Sequence, residues 1–320
     1  MRREIITWTV VAAIIVAIFG GTVLILNATL YSASGFVRSY LDSLARHDVD
    51  GALELAGTVA AGDASDELLV ADALGDLSDL TLISDDTDAQ GIHRVVYGFT
   101  AGAESGESTF SVRPQGTLLG LFPRWSFESS PLGVLQVTPQ HGTSFTVNGV
   151  KVQAVAPDQP SPYLVFAPGT YVLGGKSTYL EAAPTDVTAS QPGAAVIASV
   201  KLLPTKAFVA QVQKELNLYL DDCAKQQVLL PTGCPFGEEI SNRIVNTPAW
   251  SIAHYPKVTL QPGSAPGSWL MPATDAEAHL VVDIKSLFDG TVTTFDEDVP
   301  FSSSYVVTFL PDDELLISGQ

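Results

Sequence analysis

Few residues in this chain combine the type and spacing that chemistry needs. Its five histidines, His47, His93, His141, His254 and His279, are scattered. None falls in His-x-x-x-His or His-Glu-x-x-His spacing, which sets two imidazoles on one helix face for zinc. No Gly-x-Ser-x-Gly elbow and no Ser-x-x-Lys occurs, and Ser199-Val200-Lys201 has the wrong spacing for an activated serine. Gly174-Gly175-Lys176-Ser177 invites comparison with a phosphate-binding loop. That loop needs a glycine five residues before Gly175, where Thr170 stands, with Gly169 one position off. A strand rather than a helix is predicted after it, and Pro184 intervenes. It reads as a hairpin turn with a solvated lysine, and no nucleotide is expected.

Acidic runs occur at Asp85-Asp86-Thr87-Asp88, Asp296-Glu297-Asp298 and Asp312-Asp313-Glu314. None has the ligand spacing of a calcium loop, and they read as solvated turns, with a low-affinity ion site as the alternative. Trp125, Trp250 and Trp269 have the rings to stack on sugars, but their apolar strand neighbours point to core or rim positions. No catalytic residue, cofactor or metal ligand is assigned. The two cysteines, Cys223 and Cys234, flank turn residues including Pro231 and Gly233. Outside a membrane such a pair reads as a disulfide, and a pair of free thiols is the alternative.

The elements that must carry these residues begin with an uncharged apolar run from Ile5 to Leu26, preceded by Arg2 and Arg3. Those 22 residues span about 33 Å as a helix, enough for a hydrocarbon core of about 30 Å. The run exceeds the core of a removed signal peptide, although Ser32-Ala33-Ser34 keeps cleavage as the alternative. The arginines place the N-terminus in the cytoplasm and the bulk outside. Residues 1–4 form a cytoplasmic stub too short for a signalling domain, and 27–35 a polar stalk.

Net charge is −19. The first 26 residues carry Arg2, Arg3 and Glu4, a net +1, which leaves −20 on the remainder. A surface this acidic repels nucleic acid and anionic polymers. It is compatible with cationic peptides or divalent ions, but solubility is the favoured reading.

Beyond the stalk the hydrophobic period changes several times. Phe36, Val37, Tyr40, Leu41 and Leu44 recur at helical spacing. Asp50 is placed to cap a short second helix over 52–55, and a third is predicted around Asp66 to Leu74. Strands are predicted over 77–83, 91–101, 107–112 and 121–127, with 102–106 as a hairpin turn. Helices followed by an antiparallel meander make an α+β unit over 36–130. Short strands with Gly/Pro turns then suggest a small β-sandwich over 131–202, in which Asn148-Gly149 is a type I′ hairpin signal. Thr205 opens a long helix whose apolar stripe includes Phe208, Val212, Leu216 and Leu220. Strands follow to the end, giving a second α+β unit over 203–320 that contains the cysteine loop.

Phe36-Val37-Arg38-Ser39-Tyr40-Leu41-Asp42-Ser43-Leu44-Ala45, then Asp48-Val49-Asp50-Gly51-Ala52-Leu53, then a meander ending at Trp125-Ser126-Phe127, resembles the nuclear-transport-factor-like and cystatin-like α+β cones of exported single-pass envelope proteins of Gram-positive bacteria. Ala167-Pro168-Gly169-Thr170-Tyr171 resembles the Pro-Gly-x-Tyr turn of small β-sandwich modules in surface proteins. The whole plan of span, cone, β module and cone is similar to the teicoplanin-resistance-associated membrane proteins. Those carry a cytoplasmic zinc ribbon ahead of the span, for which four residues leave no room. The apolar anchor, the modular order and the absence of reactive constellations point to a non-enzymatic, membrane-anchored protein that binds an envelope protein, peptide or wall component, or serves as a spacer or scaffold near the membrane. A small-ligand carrier or enzyme on the cone fold, and a self-associating subunit of an envelope assembly, are the alternatives.

Overall fold

The computed structural model of the chain describes residues 2–57, 62–310 and 314–319, with the backbone alone for 2–7. The chain is mixed α+β, with one apolar N-terminal helix and several sheets. Helix α1 runs Arg2–Ala28, and no part of its most apolar stretch, Trp8–Ala28, is buried by the rest of the chain. After four residues, α2 (Ala33–Ala45) starts on Ser32, whose hydroxyl accepts from the Gly35 N–H at 2.9 Å. The polar stalk expected over 27–35 is therefore mostly helix. Helix α3 (Val49–Ala56) is capped by Asp48 rather than Asp50: the Asp48 carboxylate accepts from Gly51 N at 3.0 Å. The helix expected over 66–74 is only a single 3-10 turn at Ala71–Ala73.

The first sheet is a meander, β1 (Leu77–Thr87), β2 (His93–Ala101), β3 (Glu104–Leu118) and β4 (Phe122–Phe127). Its β2–β3 turn is two residues, Gly102-Ala103, because pairing continues to Ala101–Glu104. Tyr40, Leu41 and Leu44 of α2 pack with Val95, Phe99 and Phe110 of this sheet. The acidic run at 85–88 is not a free turn: Asp85–Thr87 lie on β1, where Thr87 pairs with His93.

The middle of the chain forms two sheets. One has the order β11 (Ala195–Lys201), β5 (Leu132–Gln140), β8 (Ser161–Phe166); the other joins β12 (Leu203–Pro204), β10 (Leu180–Ala189), β9 (Gly169–Lys176), β6 (Ser144–Val147) and β7 (Val150–Gln153). Leu135, Val137 and Val165 from the first and Phe145, Tyr171 and Leu173 from the second share one core. Strands β5 and β11 are parallel. The Asn148-Gly149 turn joins β6 to β7 with both residues at positive φ, 49° and 87°. Gly174, Gly175 and Lys176 lie inside β9, not in a turn. The turn falls after them, where Ser177 N donates to Leu180 O at 2.8 Å.

The last sheet runs β13 (Arg243–Ile244), β16 (Ser268–Lys285), β17 (Val292–Phe309), β18 (Leu315–Gly319), with β14 (Ala249–His254) and β15 (Gln261–Pro262) also pairing β16. Helix α4 (Lys206–Ala224) packs Phe208, Val212, Leu216 and Leu220 with Trp269, Met271, Leu280 and Val307 of this sheet. Asp296-Glu297-Asp298 sits within β17 rather than in a turn, while Asp312 and Asp313 lie outside the described residues.

Polar contacts, buried at Tyr40 and Thr170 and exposed at Gln191, join these sheets. The fully buried Tyr40 hydroxyl reaches Ala167 O at 3.2 Å and Pro131 O at 3.4 Å, and Thr170 Oγ1 donates to Ala101 O at 2.9 Å. The Gln191 amide donates to Glu107 O at 2.7 Å and accepts from Thr109 N at 3.1 Å, completing two backbone groups of β3. Burial pushes the Tyr40 phenol well above its ordinary range, with Tyr171 adding in the same direction and the Ala167 carbonyl opposing. It is therefore a permanent donor. Tyr40→Phe is expected to lose about 1 kcal/mol, and Tyr40→Ala about 3–5 kcal/mol, of unfolding free energy measured by urea titration.

Candidate functional site

A groove of about 760 Å³ lies between α4 and β18. Gln211, Glu215 and Tyr219 enter it from the flank of α4, Leu315, Ile317 and Gly319 from β18, Tyr305 from β17, and Glu314 from the preceding turn. Position follows from the helix: Leu216 and Leu220 face the sheet, which turns Glu215 and Tyr219 to the helix edge. Thr205 starts the helix as expected, its hydroxyl accepting from Phe208 N at 3.2 Å and donating to Thr178 O at 2.7 Å. That second bond ties α4 to the turn carrying Tyr179, another groove residue.

The cysteines close one end of this groove. Cys223 and Cys234 form a disulfide, which holds Gly233 beside α4, where the Tyr219 hydroxyl donates to the Gly233 carbonyl. The Tyr219 ring meets Tyr305 edge-on at 6.3 Å. Burial pushes the Tyr305 phenol up to about 12, with Tyr219 adding in the same direction. Burial raises Tyr219 as well. Both phenols are neutral donors at physiological pH.

Strand β18 ends its sheet. Leu310 N donates to Glu314 O at 2.8 Å across the β17–β18 connection. Hydrogen-bonded pairs in an antiparallel ladder alternate, so those between 308 and 316 and between 306 and 318 follow. The N–H and C=O groups of Leu315, Ile317 and Gly319 then point away from β17. An apolar and phenolic groove thus runs beside an open row of backbone donors and acceptors. Its charged lining is acidic, Glu215 and Glu314, without lysine or arginine.

The histidines lie elsewhere and do not converge. His93 Nδ1 is 2.6 Å from Asp85 Oδ1, and its ring packs edge-on against Trp125. Thr87 Oγ1 lies 3.2 Å from His93 Nε2 and 3.4 Å from Nδ1. An oxygen nearly equidistant from both nitrogens is off the in-plane axis of either, so Thr87 is not aligned as a nucleophile with this base. His279 is held by Asp298 at Nδ1 (2.7 Å) and Asp296 at Nε2 (3.0 Å), and His254 by Glu277 (2.8 Å). The two carboxylates on His279 sit at different ring nitrogens and share no point where an ion would reach both. Among the described residues no three histidine, cysteine or carboxylate side chains gather as a metal site. Trp250 and Trp269 are buried, and Trp125, half-buried, donates to Tyr31 O at 2.9 Å.

A second cavity, about 610 Å³, lies between the middle and last sheets, with His141, Thr143, Ser177 and Phe309 in its wall. Asp158 works there as a clasp: its carboxylate accepts from His141 N at 3.0 Å and Gly267 N at 3.3 Å, while His141 Nδ1 stays 3.8 Å away.

No family model, curated protein or solved structure matches the chain. The cysteine pair and the capped helix were legible in the sequence; Tyr179, Tyr305 and β18 as co-lining partners were not. The available signal was Tyr219, three residues past Leu216 and therefore at the edge of the helix stripe.

Replacing both cysteines by alanine is expected to lower the urea-measured unfolding free energy by about 2–4 kcal/mol. Unfolded tyrosine loses its proton near 10, and folded Tyr305 near 12. The unfolded chain binds fewer protons between those values, so this contribution is complete below pH 10 and is lost as pH rises toward 12. Urea midpoints measured from pH 9 to 11.5 are expected to fall more steeply in the wild type than in Tyr305→Phe.

Proposed function

We propose that the chain is a single-pass membrane protein, with Arg2 and Arg3 in the cytoplasm and its folded mass outside, that binds an extended cationic segment of a partner polypeptide without catalysing a reaction. The observation that carries the anchor is α1, whose apolar stretch Trp8–Ala28 is long enough to cross a bilayer and has no residue buried by the rest of the chain. The disulfide supports an oxidising location. The sequence resemblance to envelope proteins built as span, α+β cone, β-sandwich and second cone supports the same placement.

Binding is assigned to the α4–β18 groove. An open strand edge beside a groove is the arrangement that takes up an extended peptide as an added strand. Main-chain bonds to Leu315, Ile317 and Gly319 supply affinity, and Glu215 and Glu314 favour lysine or arginine in the guest. The histidine–carboxylate pairs lie outside this groove, which favours binding over catalysis. The cavity at His141 supports a second reading, a carrier of a small ligand.

Two measurements test this. Alkaline carbonate extraction of cell membranes is expected to leave the chain in the pellet; its release would remove the anchor. The full chain in detergent is expected to bind a fluorescent peptide of alternating lysine and valine, and the double variant Glu215→Lys/Glu314→Lys to bind about fivefold more weakly. Ile317→Pro deletes an outward N–H without touching the pairing to β17 and is expected to abolish binding. Undiminished binding by Ile317→Pro would overturn strand addition.

A further inference from the structure

The β3–β4 hairpin sits against the C-terminal end of α1. Asn27 Nδ2 donates to Leu121 O at 3.0 Å, Tyr31 stacks on Phe122 with ring centroids 4.4 Å apart, and Trp125 Nε1 donates to Tyr31 O at 2.9 Å. These contacts give a direction as well as a place. Residue 121 meets residue 27, while 122 and 125 meet 31, so moving back along β4 means moving back along α1. The turn before β4, Leu118-Leu119-Gly120-Leu121, therefore points toward the middle of the apolar helix. Leu119 and Gly120, both at positive φ (52° and 69°), make the turn itself, which Leu121 N closes by donating to Leu118 O at 3.1 Å, so Leu119 stands at its tip.

The side chains at this tip are unusual for a surface turn. Leu119 is 83% exposed, and Leu118 and Leu121 are each 42% exposed. A leucine cluster at a solvated tip is costly in water unless something covers it. Its charge also departs from the rest of the chain. From Val112 to Phe127 there are two arginines, Arg113 and Arg124, and no carboxylate, in a protein of net charge −19. Arg113 pairs with Glu128 at 3.2 Å. Arg124 is exposed and has no ion-pair partner among the described residues. It stands three residues beyond Leu121, toward the folded mass.

We propose that this hairpin is a second membrane contact: Leu118, Leu119 and Leu121 insert into the outer leaflet of the same bilayer that α1 crosses, and Arg124 meets the lipid phosphates. The inference rests on the reading of α1 as a membrane span. Its consequence is orientation. One helix alone leaves a folded domain free to swivel, whereas a helix and a hairpin tip locked to it by Asn27 and Tyr31 fix which face of the domain looks at the lipid. Insertion of three leucines adds apolar burial to that of the span.

Both cysteines are engaged in the disulfide, so Leu119→Cys supplies a lone thiol for a nitroxide label. Leu118→Cys is a second probe of the same turn, and Val155→Cys, at a position 98% exposed, is the aqueous reference. The full chain is reconstituted into vesicles of equal phosphatidylglycerol and phosphatidylcholine, floated on a density gradient, and each label's collisions with oxygen and with a water-soluble nickel chelate are compared. Labels at 118 and 119 are expected to favour oxygen, which concentrates in lipid, and the label at 155 to favour the chelate. Protein that floats while its 118 and 119 labels behave like 155 overturns the hairpin contact and leaves the anchor standing. Protein that does not float overturns the anchor, and the hairpin contact with it.

Discussion

A helix whose apolar surface its own fold leaves largely exposed asks for cover from outside that fold. That constraint governs this molecule. No residue of Trp8–Ala28 in α1 is buried by the fold, yet the end of the helix is held to it: Asn27 and Tyr31, at and just beyond that end, are bonded and stacked to the β3–β4 hairpin. The apolar segment and the folded mass thus meet at a defined seam rather than through a loose tether. Whatever medium receives α1 also receives, or faces, the residues packed beside it.

From that seam outward, the chain is joined by contacts that leave little freedom between its sheets. Tyr40 is donor to carbonyls on either side of the middle strands, Gln191 completes the backbone of β3, and Asp158 clasps Gly267. Leu132, Leu164 and Phe166 belong to the same core as α2. Side chains that satisfy another segment's buried backbone groups are hard to remove without leaving those groups unpaired.

Local chemistry was the legible part of the sequence. Thr205 before an apolar stripe, Asn148-Gly149 between alternating strands, and a close cysteine pair each specify their structure within a few residues, and each is found as read. The errors share a cause. The bounds of the strands expected after the long helix are not legible, because Pro272 and the register shift between Met271 and Thr274 disturb the alternation of β16, while its pairing with β17 carries on past them. Asp85–Thr87 read as a turn because charge suggests solvent, but a cross-strand histidine partner makes them strand. The run over 66–74 has helical composition, yet Leu68 and Ala73 are drawn into the core of the middle sheets and only one 3-10 turn remains. The groove itself was invisible because its walls, near 179, 215, 305 and 317, are distant in the chain and meet only through the sheet.

The two 18-residue strands β16 and β17 give the last sheet a mechanical character. At about 3.3 Å per residue they extend for nearly 60 Å. Their hydrogen bonds lie across the strand direction. A pull along the strands strains many bonds together, whereas a pull at the 286–291 turn would peel them apart in succession. A strand held along β18 and drawn along its own axis loads the sheet in the first of these ways. With lipid at one end and such a strand at the other, the molecule would bear tension as a spar rather than open as a zipper.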